Sequence, residues 1–174
     1  MKGIVVYKGK YGATAQYASW IGDALYLPLV DTDHEDAGDL SKYDYIIIGS
    51  SVYVGKILIK NWLRKNEAQL KDKKIFFFVV CATSNREKEQ QDAIVKENVP
   101  ESLIGSSEFF FNAGRVVISK LSWIDKLTVK MGALMQKDPV KKQAMLRGFD
   151  GVKRENINPL IKRALHYSNA EVLH

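Results

Sequence analysis

The sequence predicts an α/β fold built on a doubly wound parallel sheet. Five short apolar runs alternate with segments whose apolar residues recur at helical spacing. The runs are continuous rather than alternating in polarity, which is typical of parallel strands covered on both faces. The 174 residues contain no repeat, linker or break in composition, so we expect one domain over residues 1–174.

The predicted strands are the apolar runs at residues 3–7, 26–30, 45–48, 75–81 and 108–113. Segments with helical spacing separate most of them, and these predict helices over residues 14–25, 56–70 and 86–97. A last helix is predicted to open at Asn158-Pro159, where proline is typical of a first helical position, and to run to about Tyr167.

Residues 115–151 interrupt this alternation and are too many for a plain loop. Ser122–Gln136 has a helical stripe of apolar side chains, formed by Ile124, Leu127, Met131, Leu134 and Met135. Asp138-Pro139 is typical of a helix start and predicts a second, short helix over Val140–Arg147. We therefore expect a helical insertion after the fifth strand.

The composition excludes several kinds of site. A single cysteine, Cys81, excludes a disulfide scaffold and a protein-built thiolate cluster. The three histidines are not spaced as metal ligands, so no metal site is expected. Neither a signal peptide nor a membrane-spanning run of about 18 apolar residues is recognisable, and we expect a cytoplasmic protein.

The charge favours an anionic partner. Lys and Arg number 26 against 20 Asp and Glu, a net charge of +6. No nucleic-acid-reading module is recognisable, so nucleic acid is not the expected partner. An anionic membrane surface and an acidic small molecule remain the alternatives, beside a basic surface that serves no particular partner.

The loop after the first predicted strand has the features of a phosphate site. It comprises Lys8, Gly9, Lys10, Tyr11, Gly12, Ala13 and Thr14. Parallel sheets bind ligands beyond the carboxyl ends of their strands. The glycines let backbone amides approach an anion, Thr14 can donate its hydroxyl, and the following helix adds unpaired N–H groups. The spacing fits neither a Walker A motif nor a dinucleotide fingerprint, so a glycine-rich turn without ligand is the alternative.

At this loop the sequence resembles the flavodoxins, whose first loop reads Ser/Thr-x-Thr-Gly-x-Thr and wraps the phosphate of FMN. Gly12 and Thr14 match that pattern, whereas Gly9 and Tyr11 replace two hydroxyl residues. The resemblance covers nearly the whole chain. It implies FMN as cofactor and a flavodoxin-like five-stranded sheet in the order 2-1-3-4-5.

Within that family the chain looks most similar to the menaquinone-dependent protoporphyrinogen dehydrogenases. Their run Ile-Gly-Ala/Ser-Ser-x-x-x-Gly is matched by Ile48–Gly55, and their Trp-x-Asp-Arg/Lys pattern by Trp123–Lys126. The long basic insertion is also shared.

The resemblance implies that two further loops hold the flavin ring. The loop after the third strand supplies Ser51, Val52, Tyr53, Val54 and Gly55, with Tyr53 as the candidate aromatic. The loop after the fourth strand supplies Ala82, Thr83, Ser84 and Asn85, whose backbone would meet the polar edge of the ring. Because the flavin performs the redox step, no catalytic side chain is predicted.

The function expected from this resemblance is an FMN-dependent oxidoreductase that oxidises a substrate such as a porphyrinogen and reduces a quinone. The alternatives are a non-enzymatic flavodoxin-type electron carrier and a protein that has kept the fold without FMN. Four basic residues of the insertion are candidates for contact with substrate or membrane: Arg115, Lys120, Lys126 and Lys130. The simpler alternative is that the insertion helix packs its apolar stripe on the sheet edge.

Overall fold

Five parallel strands form the central sheet of the protein. The structure is a computed structural model that describes residues 1–81 and 88–170. In chain order the strands are β1 (Gly3–Lys8), β2 (Leu29–Asp31), β3 (Tyr45–Tyr53), the short β4 (Lys56–Ile57), β5 (Lys74–Cys81) and β6 (Ser107–Ala113). The parallel strands lie in the order β2-β1-β3-β5-β6, and β4 pairs antiparallel with β3. The predicted fold class and strand order are confirmed, since the predicted fourth and fifth strands are β5 and β6.

Helices cover both faces of this sheet. In chain order the helices of the described residues are α1 (Ala13–Leu25), α2 (Lys60–Leu70), α3 (Lys88–Asn98), α4 (Glu101–Ile104), α5 (Trp123–Met135), α6 (Pro139–Arg147) and α7 (Asn158–Ala170). Tyr17 of α1 and Leu160 of α7 belong to the core on one face. Leu63 of α2 and Ile94 of α3 belong to the core on the other face. This two-sided cover explains why the strands are continuously apolar.

The second strand begins later than predicted. Tyr26 has a left-handed backbone, with φ of 54°, and its N–H donates to the Gly22 carbonyl at the end of α1. Its side chain is 95% exposed. Tyr26 thus ends helix α1 instead of starting a strand, and β2 pairs with β1 only from Leu29.

The first residues of the predicted second helix form a strand instead. Val54 and Gly55 both have positive φ, 47° and 75°, and turn the chain back on itself. Lys56 and Ile57 then pair with the end of β3, so α2 begins only at Lys60.

The third strand is longer than predicted because Gly49 does not end it. A Cβ at Gly49 would lie 2.0 Å from Cζ of Phe78 on the neighbouring strand. Glycine is therefore needed here for a close approach between side chain and backbone, and β3 continues to Tyr53.

A short pair of antiparallel strands joins the two ends of the insertion. Strand β7 (Arg115–Val116) pairs antiparallel with β8 (Phe149–Asp150), which brings together the two ends of the segment. Helices α5 and α6 lie between them and contact each other. Both predicted helices of the insertion are present, with starts and ends within one residue of those expected.

No helix within residues 1–81 and 88–170 is both long and apolar enough to cross a bilayer. The same residues include no cluster of three His, Cys, Asp or Glu side chains placed to share a metal ion.

Candidate functional site

A cleft of about 380 Å³ lies at the carboxyl ends of the parallel strands. Its size is within the range of small-molecule sites in proteins. Its lining comes from the first loop, the end of β3 with the turn that follows, the end of β5, and the insertion. The predicted site residues that line it are Lys10, Tyr11, Ala13, Thr14, Ser51, Val52, Tyr53, Val54, Gly55 and Arg115.

The first loop leads directly into the N-terminus of α1. Gly12 has φ of 83° and stands at the N-cap without a side chain to cap the helix. Thr14 is 1% exposed and packs against Gly9, where a Cβ would lie 2.7 Å from Thr14 Cβ. The two glycines therefore let the backbone fold tightly over Thr14. The first amides of α1, which no helical carbonyl can satisfy, are left to bind an anion.

Lys8 lies apart from the cleft lining. Its ammonium is 2.5 Å from Oδ1 of Asp33, in the segment after β2. Of the two lysines predicted for this site, Lys10 lines the cleft and Lys8 does not.

The end of β3 brings a buried hydroxyl to the cleft, and the turn after it brings a peptide held in place by a side chain. Ser51 Oγ is buried and has no hydrogen-bond partner among the residues that the structure describes. Asn98, 2% exposed, donates from Nδ2 to the Gly55 carbonyl at 2.9 Å and accepts from the Ile57 N–H at 3.3 Å. The side-chain amide of Asn98 therefore holds the backbone of the Val54–Gly55 turn in place. Asn98 lies at the end of α3, and nothing in its local sequence marks it as part of a site.

Asp125 of the insertion joins the two loops of the cleft. Its carboxylate accepts a hydrogen bond from Lys10 Nζ at 2.8 Å and one from the Tyr11 hydroxyl on Oδ2. Oδ1 accepts from the Tyr53 hydroxyl. The side chain is only 4% exposed, and the Lys10 ammonium also lies 4.4 Å from the centroid of the Tyr53 ring.

The burial of Asp125 is compatible with its charge because one ammonium and two phenols surround it. The N-cap of α5 orients it, since its backbone N–H donates to Ser122 Oγ at 3.2 Å. Asp125 was not among the predicted site residues, although it is the acidic residue of the Trp123–Lys126 pattern. The signal that could have identified it is an acidic residue inside an otherwise basic and apolar helix.

The four basic candidates of the insertion occupy different places. Arg115 lines the cleft, and its guanidinium contacts Asp150 at 2.6 Å and Gln16 at 3.0 Å. The Val152 N–H, and after it Arg115, hold the pKa of Asp150 below its ordinary value. Lys120, Lys126 and Lys130 do not line the cleft. Lys120 and Lys130 are exposed, and Lys126 is half-buried.

The remaining predicted ring contacts, Ala82, Thr83, Ser84 and Asn85, fall outside the described residues. Val80 and Cys81, which precede them at the end of β5, do line the cleft.

Comparison with known proteins gives one family. The model of the flavodoxin domain family matches residues 4–143. No curated protein sequence matches the chain.

The chain is also similar to solved structures. These include oxidised flavodoxin 1 from Bacillus cereus, with 18% identity and a TM-score of 0.46 over 65% of this chain and 84% of that one. A flavoprotein from Lactobacillus acidophilus in complex with FMN has 16% identity and a TM-score of 0.47 over 64% and 91%. A flavodoxin from the domain Archaea has 19% identity and a TM-score of 0.43 over 65% and 85%.

Proposed function

The chain belongs to the flavodoxin domain family, and from this membership we propose that it binds one FMN in the cleft and acts as an FMN-dependent oxidoreductase. One observation carries the proposal. The cleft joins an uncapped helix N-terminus to a buried hydroxyl, Ser51 Oγ, that lacks a partner among the described residues. A ligand with a phosphate and a polar ring meets both requirements.

The residues present fit such a ligand. The first amides of α1 and the Thr14 hydroxyl would bind the phosphate, without the two hydroxyl side chains that Gly9 and Tyr11 replace. Ser51 and the Val54–Gly55 turn would meet the ring. When bound, FMN supplies the transfer of a hydride or of single electrons.

The protein itself encloses the cleft and places charged side chains in its lining. Helix α5 covers the cleft with Thr128, Val129 and Gly132, which excludes water from that side. The charged residues of the described lining are Lys10, Arg115 and Asp125, two cations against one carboxylate. This excess of positive charge would stabilise a reduced, anionic ring. No acid or base side chain is required, because the redox step belongs to the cofactor.

For the substrate, we propose a porphyrinogen as electron donor and a quinone as acceptor. Arg115 in the cleft lining and the basic insertion around it suit a substrate that carries carboxylates. A quinone acceptor would be met at a membrane surface, and we propose that the protein works in peripheral contact with one.

The second candidate is a flavodoxin-type electron carrier. Its favouring observation is that the acidic and phenolic groups of the described lining, Asp125, Tyr11 and Tyr53, are hydrogen-bonded to one another, and a carrier needs no catalytic side chain. Against it stands the net charge of +6, since a basic carrier would need an acidic partner for docking.

Two measurements separate these proposals. First, purified protein is titrated with FMN and followed by absorbance and by quenching of flavin fluorescence. A colourless protein that leaves flavin fluorescence unchanged would contradict both FMN-dependent functions. Second, FMN-loaded protein is mixed anaerobically with a porphyrinogen and a menaquinone analogue. We expect the porphyrin to form with three quinones reduced for each porphyrin, because a porphyrinogen loses six electrons and six protons and each quinone accepts two of each. A carrier would form no porphyrin.

A further inference from the structure

The apolar stripe of α5 faces outward. Trp123, Ile124, Leu127, Met131, Leu134 and Met135 are between 51% and 84% exposed. Packing of this stripe on the sheet edge, the simpler alternative from the sequence, is therefore wrong. The physical reason is that the opposite face of the helix, with Asp125 and Gly132, is the one turned to the cleft. We call these six exposed residues the outer face of α5.

The outer face is continuous. At 3.6 residues per turn its six side chains occupy an arc of about 120° around the helix. Lys126 and Lys130 border this arc on one side, and Lys120 and Lys137 lie just before and after the helix. The two acidic residues nearby do not interrupt it, because Asp125 is buried and Asp138 lies beyond the helix.

The positive charge of the protein is concentrated in this segment. Residues 115–147 contain eight Lys and Arg but only two Asp and no Glu, a net charge of +6. This equals the net charge of the whole chain, so the other residues, with 18 basic and 18 acidic side chains, are neutral together. The basic character of the protein is thus a property of the insertion.

We infer that the outer face of α5 docks on an anionic lipid surface. Apolar and aromatic side chains on one face, with lysines at its edge, are what an interfacial helix presents to a bilayer. Trp123 at the start of the helix suits the headgroup level, where an amphipathic ring is favoured. Lysines near such a surface gain energy from the anionic headgroups.

A second copy of this chain is the less suitable occupant, because two outer faces would bring two sets of lysines together. A nucleic acid, or an acidic protein surface without an apolar patch, would match the lysines but leave the apolar arc in water. Only a surface that is both anionic and apolar satisfies the two features together.

Docking would also place the cleft beside the lipid, since α5 lines the cleft with its inner face. In this respect the inference deepens the proposed function, for which a lipid-soluble quinone is the acceptor. Lipid binding itself requires no FMN, so its test is independent of that function.

The experiment measures vesicle binding of the full-length protein by co-sedimentation. The vesicles contain phosphatidylcholine alone or phosphatidylcholine with phosphatidylglycerol. We expect binding to the anionic vesicles only, with a blue shift of tryptophan fluorescence. Leu127→Ser and Met131→Ser should each weaken binding about ten-fold, because each removes apolar area that the bilayer buries. Lys126→Gln and Lys130→Gln should each weaken it about five-fold.

Two matched variants act as controls. Tyr26→Asn removes an exposed aromatic outside the insertion, with a residue that tolerates its left-handed backbone. Lys71→Gln removes an exposed lysine at the end of α2. Both should bind vesicles like the original protein. All substituted positions are on the surface, and thermal unfolding checks that each variant is folded.

Three results would overturn the inference. The first is no binding to anionic vesicles. The second is binding that depends on the lysines but not on Leu127 or Met131, which points to a purely electrostatic partner such as an acidic protein or nucleic acid. The third is a dimer, seen by light scattering, that Leu127→Ser dissociates. If the protein binds anionic vesicles but does not bind FMN, the proposed function is contradicted and the inference about the lipid surface is not.

Discussion

The carboxylate of Asp125 in the insertion accepts a hydrogen bond from the hydroxyl of Tyr53 at the end of β3. With the contacts of Lys10 and Tyr11 to the same carboxylate, it joins α5 to both loops of the cleft. Since these partners are separated from Asp125 by 72 to 115 residues in sequence, one side chain holds the cover of the site in place.

The first prediction concerns this link. Asp125→Ala removes every acceptor that Lys10, Tyr11 and Tyr53 use, and we expect it to lower the free energy of unfolding by about 1–3 kcal/mol. Hydrogen exchange should become faster both in α5 and in residues 9–14. Thr128→Ala is the matched control, because Thr128 also lines the cleft but its hydroxyl donates only within α5, to Ile124. Unchanged exchange in residues 9–14 would show that Asp125 does not hold the two parts together.

The second prediction concerns Gly12, whose φ of 83° is unfavourable for any residue with a Cβ. Gly12→Ala should destabilise the protein by about 1 kcal/mol and weaken FMN binding, because a relaxed loop no longer aims its amides at the phosphate. Gly38→Ala is the control. Gly38 also has positive φ, 65°, and open space around it, but it lies in the connection between β2 and β3.

Both glycine variants should therefore lose similar stability in urea unfolding, while only Gly12→Ala should raise the Kd for FMN. Equal FMN affinity in the two variants would argue against the first loop as the phosphate site.

The third prediction concerns Tyr17, which is fully buried. Its hydroxyl donates to the Ala113 carbonyl at 2.7 Å and accepts from Asn156 Nδ2 at 2.7 Å, and so connects α1 to the segments that flank the insertion on either side. Burial raises the pKa of Tyr17 above its ordinary value, so the phenol keeps its proton. Tyr17→Phe should cost about 1–2 kcal/mol, because it leaves buried polar partners unpaired.

The exposed Tyr26 provides the control for this variant, and Tyr26→Phe should leave the urea midpoint unchanged. If Tyr17→Phe is equally harmless, the hydroxyl does not contribute to holding the insertion.

The fourth prediction concerns acid stability. Glu108 on β6 contacts Arg163 through both carboxylate oxygens at 2.7 Å and Lys74 at 2.8 Å, and these contacts lower the pKa of Glu108 from 4.5 to about 2. A lowered folded-state pKa stabilises the protein above the unfolded-state pKa. That contribution is lost as the pH falls from about 4.5 to about 2.

Glu108→Gln should accordingly cost about 1 kcal/mol at neutral pH, a value reduced by solvent screening of the partly exposed pair. The difference from the original protein should disappear near pH 2, measured by urea unfolding across the acid range. Glu89→Gln, on the exposed first turn of α3, is the control. A constant difference at every pH would mean that Glu108 acts through packing and not through its charge.

Much of the fold could be predicted from the residues alone. The continuous apolar runs at β3 and β5 require cover on both faces, and the loop Lys8–Thr14 combines glycines with a helix start. The insertion was predictable for the same reason, since Ser122 and Asp138-Pro139 mark helix starts by local hydrogen-bonding and backbone preferences. These features depend on residues close together in sequence.

The tertiary structure decided what depends on distant residues. The spacing of apolar residues shows which side chains share a face of α5. The same spacing is expected for a helix that packs on a protein core and for one that lies on a lipid surface. Only the tertiary packing shows that this face of α5 is exposed. The turn at Val54 and Gly55 depends on Asn98, and the cover of the cleft depends on Asp125 reaching Lys10 across 115 residues. Sequence thus determined the elements and the glycine-rich loop before α1, whereas long-range contacts determined which face of α5 closes the cleft and which remains exposed.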